Sequence, residues 1–144
     1  WQCYERGLGV PQNLQEAVIW CEKSAKQGDA KAQFNLAQHY HKAEKHTEAV
    51  KWYTKAAEQG YAEAQYMLGI CHKLGLGLTK NYMLAVVWFE KAAKQGYAKA
   101  QCYLGFCYMQ GQGVEKNNVE AKKWLTKAAK QGDEAAIGWI DFIK

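Results

Sequence analysis

A nine-residue signature recurs four times in this chain and constrains its fold more than any other feature. WCEKSAKQG at Trp20–Gly28 returns as WYTKAAEQG at Trp52–Gly60, WFEKAAKQG at Trp88–Gly96 and WLTKAAKQG at Trp124–Gly132, with the tryptophans 32, 36 and 36 residues apart. A fixed period in this range specifies supersecondary units that cannot bury their apolar faces alone and must stack on one another. The 144 residues therefore read as a row of helical hairpins instead of one globular core, and 49% hydrophobic residues supply a continuous interior. Residues 1–28 read as a partial repeat, 29–60 as a short repeat, 61–96 and 97–132 as full repeats, and 133–144 as the terminal helix of a further repeat or a cap. The match of Trp1–Val10 to Gly105–Val114 places the first residue inside a repeat, so the chain is expected to be a piece of a longer array. A start at Trp1 also leaves room for a removed signal. No apolar run reaches the roughly 20 residues that span a bilayer.

Each repeat carries its own punctuation. Helical spacing predicts first helices over about Ala30–Lys42, Ala62–Leu74 and Ala98–Gln110, with inward positions such as Ala32, Leu36 and Tyr40. Gly-x-Gly follows at Gly7/Gly9, Gly75/Gly77 and Gly111/Gly113, where the chain is expected to turn back. Asn13, Asn81 and Asn117 stand where a side-chain oxygen would cap the second helix. Ala17, Trp20, Cys21 and Ser24, then Ala49, Trp52, Tyr53 and Ala56, form the stripe of that helix.

The pattern resembles the Sel-one-like repeat family, a relative of the tetratricopeptide repeat. The features that carry the resemblance are Ala64-x-x-x-Leu68-Gly69, Gly75-x-Gly77, the Ala85/Trp88 step, and Lys91-Ala92-Ala93 before Gly96. It implies an all-α, right-handed superhelical solenoid of stacked antiparallel hairpins. The chain departs from the pattern where asparagine replaces an aspartate ahead of the second helix, where Ala37 replaces glycine, and at His41–Thr47, which lacks Gly-x-Gly. That loop is four residues shorter, and a tighter hairpin is expected there.

No catalytic, cofactor or metal constellation is expected. The five cysteines Cys3, Cys21, Cys71, Cys102 and Cys107 are odd in number and form no C-x-x-C pair. Cys3, Cys71 and Cys107 share one repeat position, and stacked helices about 8–10 Å apart exceed the Cα separation of about 7 Å that a disulfide tolerates. Free thiols favour a reducing compartment such as the cytoplasm. His39 and His41 point to opposite sides of a helix, and His72 takes the place of Tyr40 and Tyr108. The glycine pairs follow helices and lack the G-K-[ST] ending of a phosphate loop. With a net charge of +5, the recurring Lys23, Lys55, Lys91 and Lys127 read as a solvated face paired with Glu22, Glu58 and Glu90 before they read as a phosphate-binding ridge. Nucleic acid is not expected as a partner.

What remains is surface. If Ala32, Leu36 and Tyr40 point inward, Lys31, Phe34, Gln38 and His41 lie on the opposite side of that helix. The equivalents are Glu63, Tyr66, Ile70, Lys73 and Leu74, then Lys99, Cys102, Phe106 and Met109. The tetratricopeptide resemblance implies that this side lines a concave groove. Aromatic and apolar anchors within a charged rim suit a peptide or protein ligand, while the competing reading is that the same residues extend the packing between repeats. The expected function is a non-enzymatic interaction scaffold. The alternatives are a cell-envelope enzyme or a β-lactam- or peptidoglycan-binding protein, as the resemblance suggests for a cysteine-rich branch, or a structural spacer. Self-association through unfinished repeat ends is a further expectation.

Overall fold

The structure, a computed structural model, describes residues 11–143. Among these residues the chain forms eight α-helices: α1 (Pro11–Lys26), α2 (Ala30–Lys42), α3 (His46–Glu58), α4 (Ala62–Leu74), α5 (Tyr82–Lys94), α6 (Ala98–Gln110), α7 (Asn118–Lys130) and α8 (Glu134–Ile140). Each packs chiefly against the helix before and the helix after it, so the fold is an all-α solenoid of antiparallel hairpins built from local contacts. The first helices α2, α4 and α6 begin and end where the sequence spacing places them.

The two long hairpins turn by the same device. Gly75 and Gly111 end α4 and α6 in left-handed conformation (φ 72° and 71°), and their N–H groups bond the carbonyls of Cys71 and Cys107. Asn81 and Asn117 then cap α5 and α7, their side-chain oxygens accepting from the N–H of Leu84 and Glu120 at 3.1 Å. The backbone N–H of each asparagine also bonds back to the preceding helix, at His72 O and Tyr108 O. The Asn13 side chain lies outside the described residues. The helix α1 already starts at Pro11, so Asn13 falls in its first turn; proline suits that first position because its missing N–H has no intrahelical partner.

The short repeat turns in three residues, 43–45, where the others use seven, 75–81 and 111–117. This is the tighter hairpin expected from the missing Gly-x-Gly. Glu44 supplies the left-handed residue (φ 61°), and Lys45 precedes α3 with no side-chain cap. Asp29 and Asp133 cap α2 and α8 through Ala32 N and Ala136 N, whereas Tyr61 and Tyr97 occupy the same position ahead of α4 and α6 without a side-chain cap. Those tyrosines commit their rings to packing instead, against Phe34 and Tyr66 at 5.2 Å.

The core is a series of alanine-rich clusters filled by two large residues per hairpin: Leu36, Leu68 and Leu104 from the first helices and, from the second, Tyr53, Phe89 and Leu125, which are not solvent-accessible. Where α4 and α6 cross the last two there is no room for a side chain. A Cβ on Gly69 would lie 2.7 Å from the Phe89 ring, and one on Gly105 would lie 2.6 Å from Leu125 Cγ.

A polar latch runs through this apolar core. Gln33, Gln65 and Gln101 are buried, and their Nε2 groups donate to Ala25 O, Ala57 O and Ala93 O at 3.0–3.2 Å. Their Oε1 atoms accept from Gln59, Gln95 and Gln131 at 2.8–2.9 Å. Gln95 and Gln131 also donate to Gly60 O and Gly96 O, so each latch joins one repeat to the next. Every member is satisfied, which is the condition for polar groups to sit in a core without penalty. The latch ends at α8, where Ile137 stands in the repeat position of Gln101 and is half exposed.

Candidate partner-binding face

The candidate residues lie on α2, α4 and α6, and the structure divides them into two groups. At the short repeat, three of them are engaged by one buried side chain. Tyr53 is polar where the other hairpins have Phe89 and Leu125, so its hydroxyl needs an acceptor; it donates to Gln38 Oε1. Phe34 and His41 pack their rings against the same tyrosine, at 5.9 and 6.4 Å between centroids. Phe34 is buried, and Gln38 and His41 are half-buried. Burial and then the neighbouring His46, 5.2 Å away, hold the His41 imidazole below its usual pKa. Tyr66 is the counterpart of Phe34 in the next repeat, and it too joins repeats, with Phe89, Tyr97 and Tyr103 around its ring at 5.2–6.0 Å. Phe34 and Tyr66 therefore follow the packing reading.

The second group is exposed in part. Lys31, Glu63 and Lys99 are exposed, Leu74 is 59% exposed, and Ile70, Lys73, Phe106 and Met109 are half-buried. Lys73 is held in place by cation–π contact, with Nζ 4.4 Å from the Tyr103 ring and 5.5 Å from Phe106. Phe106 in turn packs on Trp139 of α8 at 5.2 Å. Met109 borders a surface hollow shared with Trp139, Phe142 and Ile143. Tyr103 belongs to this face although helical projection from the sequence does not single it out. It stands four residues after Lys99 and three before Phe106, the spacing that shares a helical face, and it stacks on Phe89 at 15° between planes.

The recurring lysines of the second helices have another explanation. Lys23, Lys55, Lys91 and Lys127 lie over Trp20, Trp52, Trp88 and Trp124 at 5.2, 4.5, 4.4 and 4.6 Å. They cover the signature tryptophans and do not pair with Glu22, Glu58 and Glu90 as expected; the ion pair found among the described residues is Lys94–Glu90 at 3.3 Å.

The thiols offer no reactive centre on this face. Cys21, Cys71, Cys102 and Cys107 are free and buried, while Cys3 lies outside the described residues. Burial pushes Cys21, Cys71 and Cys107 up to about 11, and burial with the nearby Asp133 carries Cys102 to about 12. A thiol so shifted has little thiolate near neutrality. Alkylation of these four in the folded protein at pH 8 is expected to run about a hundredfold or more below that of an exposed cysteine. Mass-resolved alkylation with and without guanidinium measures it; fast native labelling of Cys71 or Cys107 would contradict the buried placement. Among the described residues no three His, Cys, Asp or Glu side chains converge as metal ligands, and no helix is long and apolar enough to cross a membrane.

Against this geometry the comparisons with known proteins are specific. The Sel1 repeat family profile matches residues 2–29, 30–61, 62–97 and 98–133, and the chain belongs to that family. Arrays of this family commonly serve as protein-interaction scaffolds. Among solved structures the chain is similar to c5321, described as a protective antigen of uropathogenic Escherichia coli strains with an SLR fold. The two share 37% identity over 99% of this chain, with a TM-score of 0.90. This chain spans 32% of that protein's length. It is also similar to a Sel1 repeat protein from Oxalobacter formigenes (37% identity, 87% of this chain and 97% of that one, TM-score 0.80). Cysteine rich protein B of Helicobacter pylori shares the fold (23% identity, 90% of this chain and 96% of that one, TM-score 0.70). No curated protein sequence matches the chain.

Proposed function

We propose that this array is a non-enzymatic scaffold that binds a protein or peptide segment along the outward, concave side of its first helices, centred on α4 and α6. The observation that carries this reading is the coexistence there of apolar surface, Leu74 at 59% exposure with half-buried Ile70, Phe106 and Met109, and Lys73 lying over two rings beside it. Lys31, Lys73 and Lys99 outnumber Glu63 on the same side, which favours a segment with an apolar anchor flanked by carboxylates. A cation already held in place loses little side-chain entropy when a ligand docks.

The test is site-specific photocrosslinking in source cells, with a benzophenone side chain at Met109 or Lys99 and, as the outer-layer control, at Lys127. A discrete adduct is expected from the first two positions. It should weaken about tenfold or more when Lys73→Glu is added, because a fully aligned charge pair becomes a repulsion. Adducts from Lys127 alone would move the binding surface to the other layer, and none from any position would favour a spacer.

A further inference from the structure

The outer side of α5 is apolar where the fold asks for nothing apolar. Met83, Leu84 and Val87 are 70%, 42% and 44% exposed and occupy one helical face. The signature repeat makes their equivalents legible: Thr47, Glu48 and Lys51 on α3, and Val119, Glu120 and Lys123 on α7. Neighbouring hairpins thus place charged or polar groups at most of these sites, so core packing does not explain the α5 residues. The three second helices lie on the same side of the array, each joined to the next through the first helix that packs on both, and Trp88 and Trp124 reach back into the cluster of the preceding hairpin. Across this layer run two rows, Glu48–Leu84–Glu120 at one level and Lys51–Val87–Lys123 one turn further along.

We propose that two copies of this chain pair through this face, with α5 packed antiparallel on α5 of the second copy about a twofold axis level with the gap between Leu84 and Val87. The two rows select that arrangement. An antiparallel twofold at this level sets Leu84 over Val87 of the partner copy, which brings each glutamate row over the partner's lysine row. Glu48 then meets the second copy's Lys51, and Glu120 its Lys123, each pair occurring twice. A parallel arrangement would instead stack glutamate on glutamate and lysine on lysine. Met83 falls level with the half-buried Trp88 of the second copy, a favourable sulfur–aromatic pairing. Lys80 and Lys91 come level with each other at the outer edges, where both are exposed and already drawn onto Tyr82 and Trp88 at 4.9 and 4.4 Å. The contact is isologous and closed, so it gives dimers and not fibres. Its small apolar centre places it among concentration-dependent associations. It leaves the α4/α6 face of both copies open.

Sedimentation equilibrium on the whole chain over a dilution series tests this. The expected result is a monomer–dimer equilibrium, with Leu84→Glu monomeric at every concentration and unchanged in circular dichroism. Lys51→Glu with Lys123→Glu should weaken dimerisation about tenfold or more, because four facing pairs become repulsive. Adding Glu48→Lys and Glu120→Lys to that variant should restore it, since all four pairs return with the signs exchanged. A wild-type chain that stays monomeric overturns the proposal. So does a dimer that survives Leu84→Glu and is lost in Phe142→Asp, which would put the contact at the exposed end of the array.

Discussion

Gly77→Ala is expected to lower the stability of the array by about 3–5 kcal/mol, against about 1–2 kcal/mol for Gly60→Ala. Both glycines have positive φ, 74° and 89°, so both substitutions carry the left-handed penalty. The difference is the neighbour. A Cβ on Gly60 meets nothing within 4 Å, whereas on Gly77 it would lie 2.4 Å from His46 O and 2.9 Å from Thr47 N. These are backbone atoms at the start of α3, and they cannot move aside without unwinding its first turn. Gly77 is thus the point where the turn of one repeat rests on the second helix of the repeat before it. Gly113 repeats the arrangement, where a Cβ would lie 2.4 Å from Tyr82 O. In a solenoid such an interface term couples adjacent hairpins, so its loss should also uncouple their unfolding. Urea denaturation of the two variants gives the comparison, and a broadened or two-step transition for Gly77→Ala alone is the expected signature. Equal midpoints would show that positive φ accounts for both and that the contact with His46 contributes nothing.

The helices, the long turns and the asparagine caps at Asn81 and Asn117 were legible in the sequence because they depend on local chemistry repeated in phase. Glycine after a helix and asparagine before the next act through their own backbone neighbours, so spacing alone finds them. The face was only half legible, for a reason specific to solenoids. Helical projection assigns each residue either to one buried side or to the opposite exposed side. A first helix here is buried on two sides, against its own hairpin partner and against the following repeat. Phe34 and Tyr66 fall in that second contact, touching Tyr61 and Tyr97, and the projection reads them as free surface. The demand that Tyr53 makes on Gln38 was equally hidden, since it follows from a hydroxyl standing where Phe89 and Leu125 have none. The glutamine latch was visible as recurrence, at Gln33, Gln65 and Gln101, but a glutamine on a helix ordinarily reads as solvated.

That latch predicts the most informative single change, Gln65→Glu. The side chains are nearly isosteric, so packing is preserved and only chemistry changes. As a carboxylate, the group would keep its acceptor contact with Gln95 Nε2, yet the oxygen replacing Nε2 would face Ala57 O at about the present 3.2 Å with no proton between them. A buried charge set against a carbonyl should cost about 3–5 kcal/mol near neutral pH. Gln65→Leu should cost less, about 1–3 kcal/mol, because Ala57 O retains the N–H of Gly60 and Gln95 Nε2 retains Gly60 O. The sign of the pH dependence separates the two. Burial and the facing carbonyl raise the folded pKa of the introduced carboxyl above its unfolded value of about 4.3, so the folded state binds the proton more tightly. The penalty relative to wild type is therefore small below about pH 4, where the protonated carboxyl can donate to Ala57 O as the amide did. It grows as pH rises from the unfolded pKa to the raised folded one, then stays constant. For Gln65→Leu the difference from wild type should be flat across the same range. Thermal unfolding of all three proteins from about pH 3.5 to 8 spans both values and resolves this. A Gln65→Glu variant whose deficit does not shrink on acidification would mean that water, and not Ala57 O, faces the substituted oxygen.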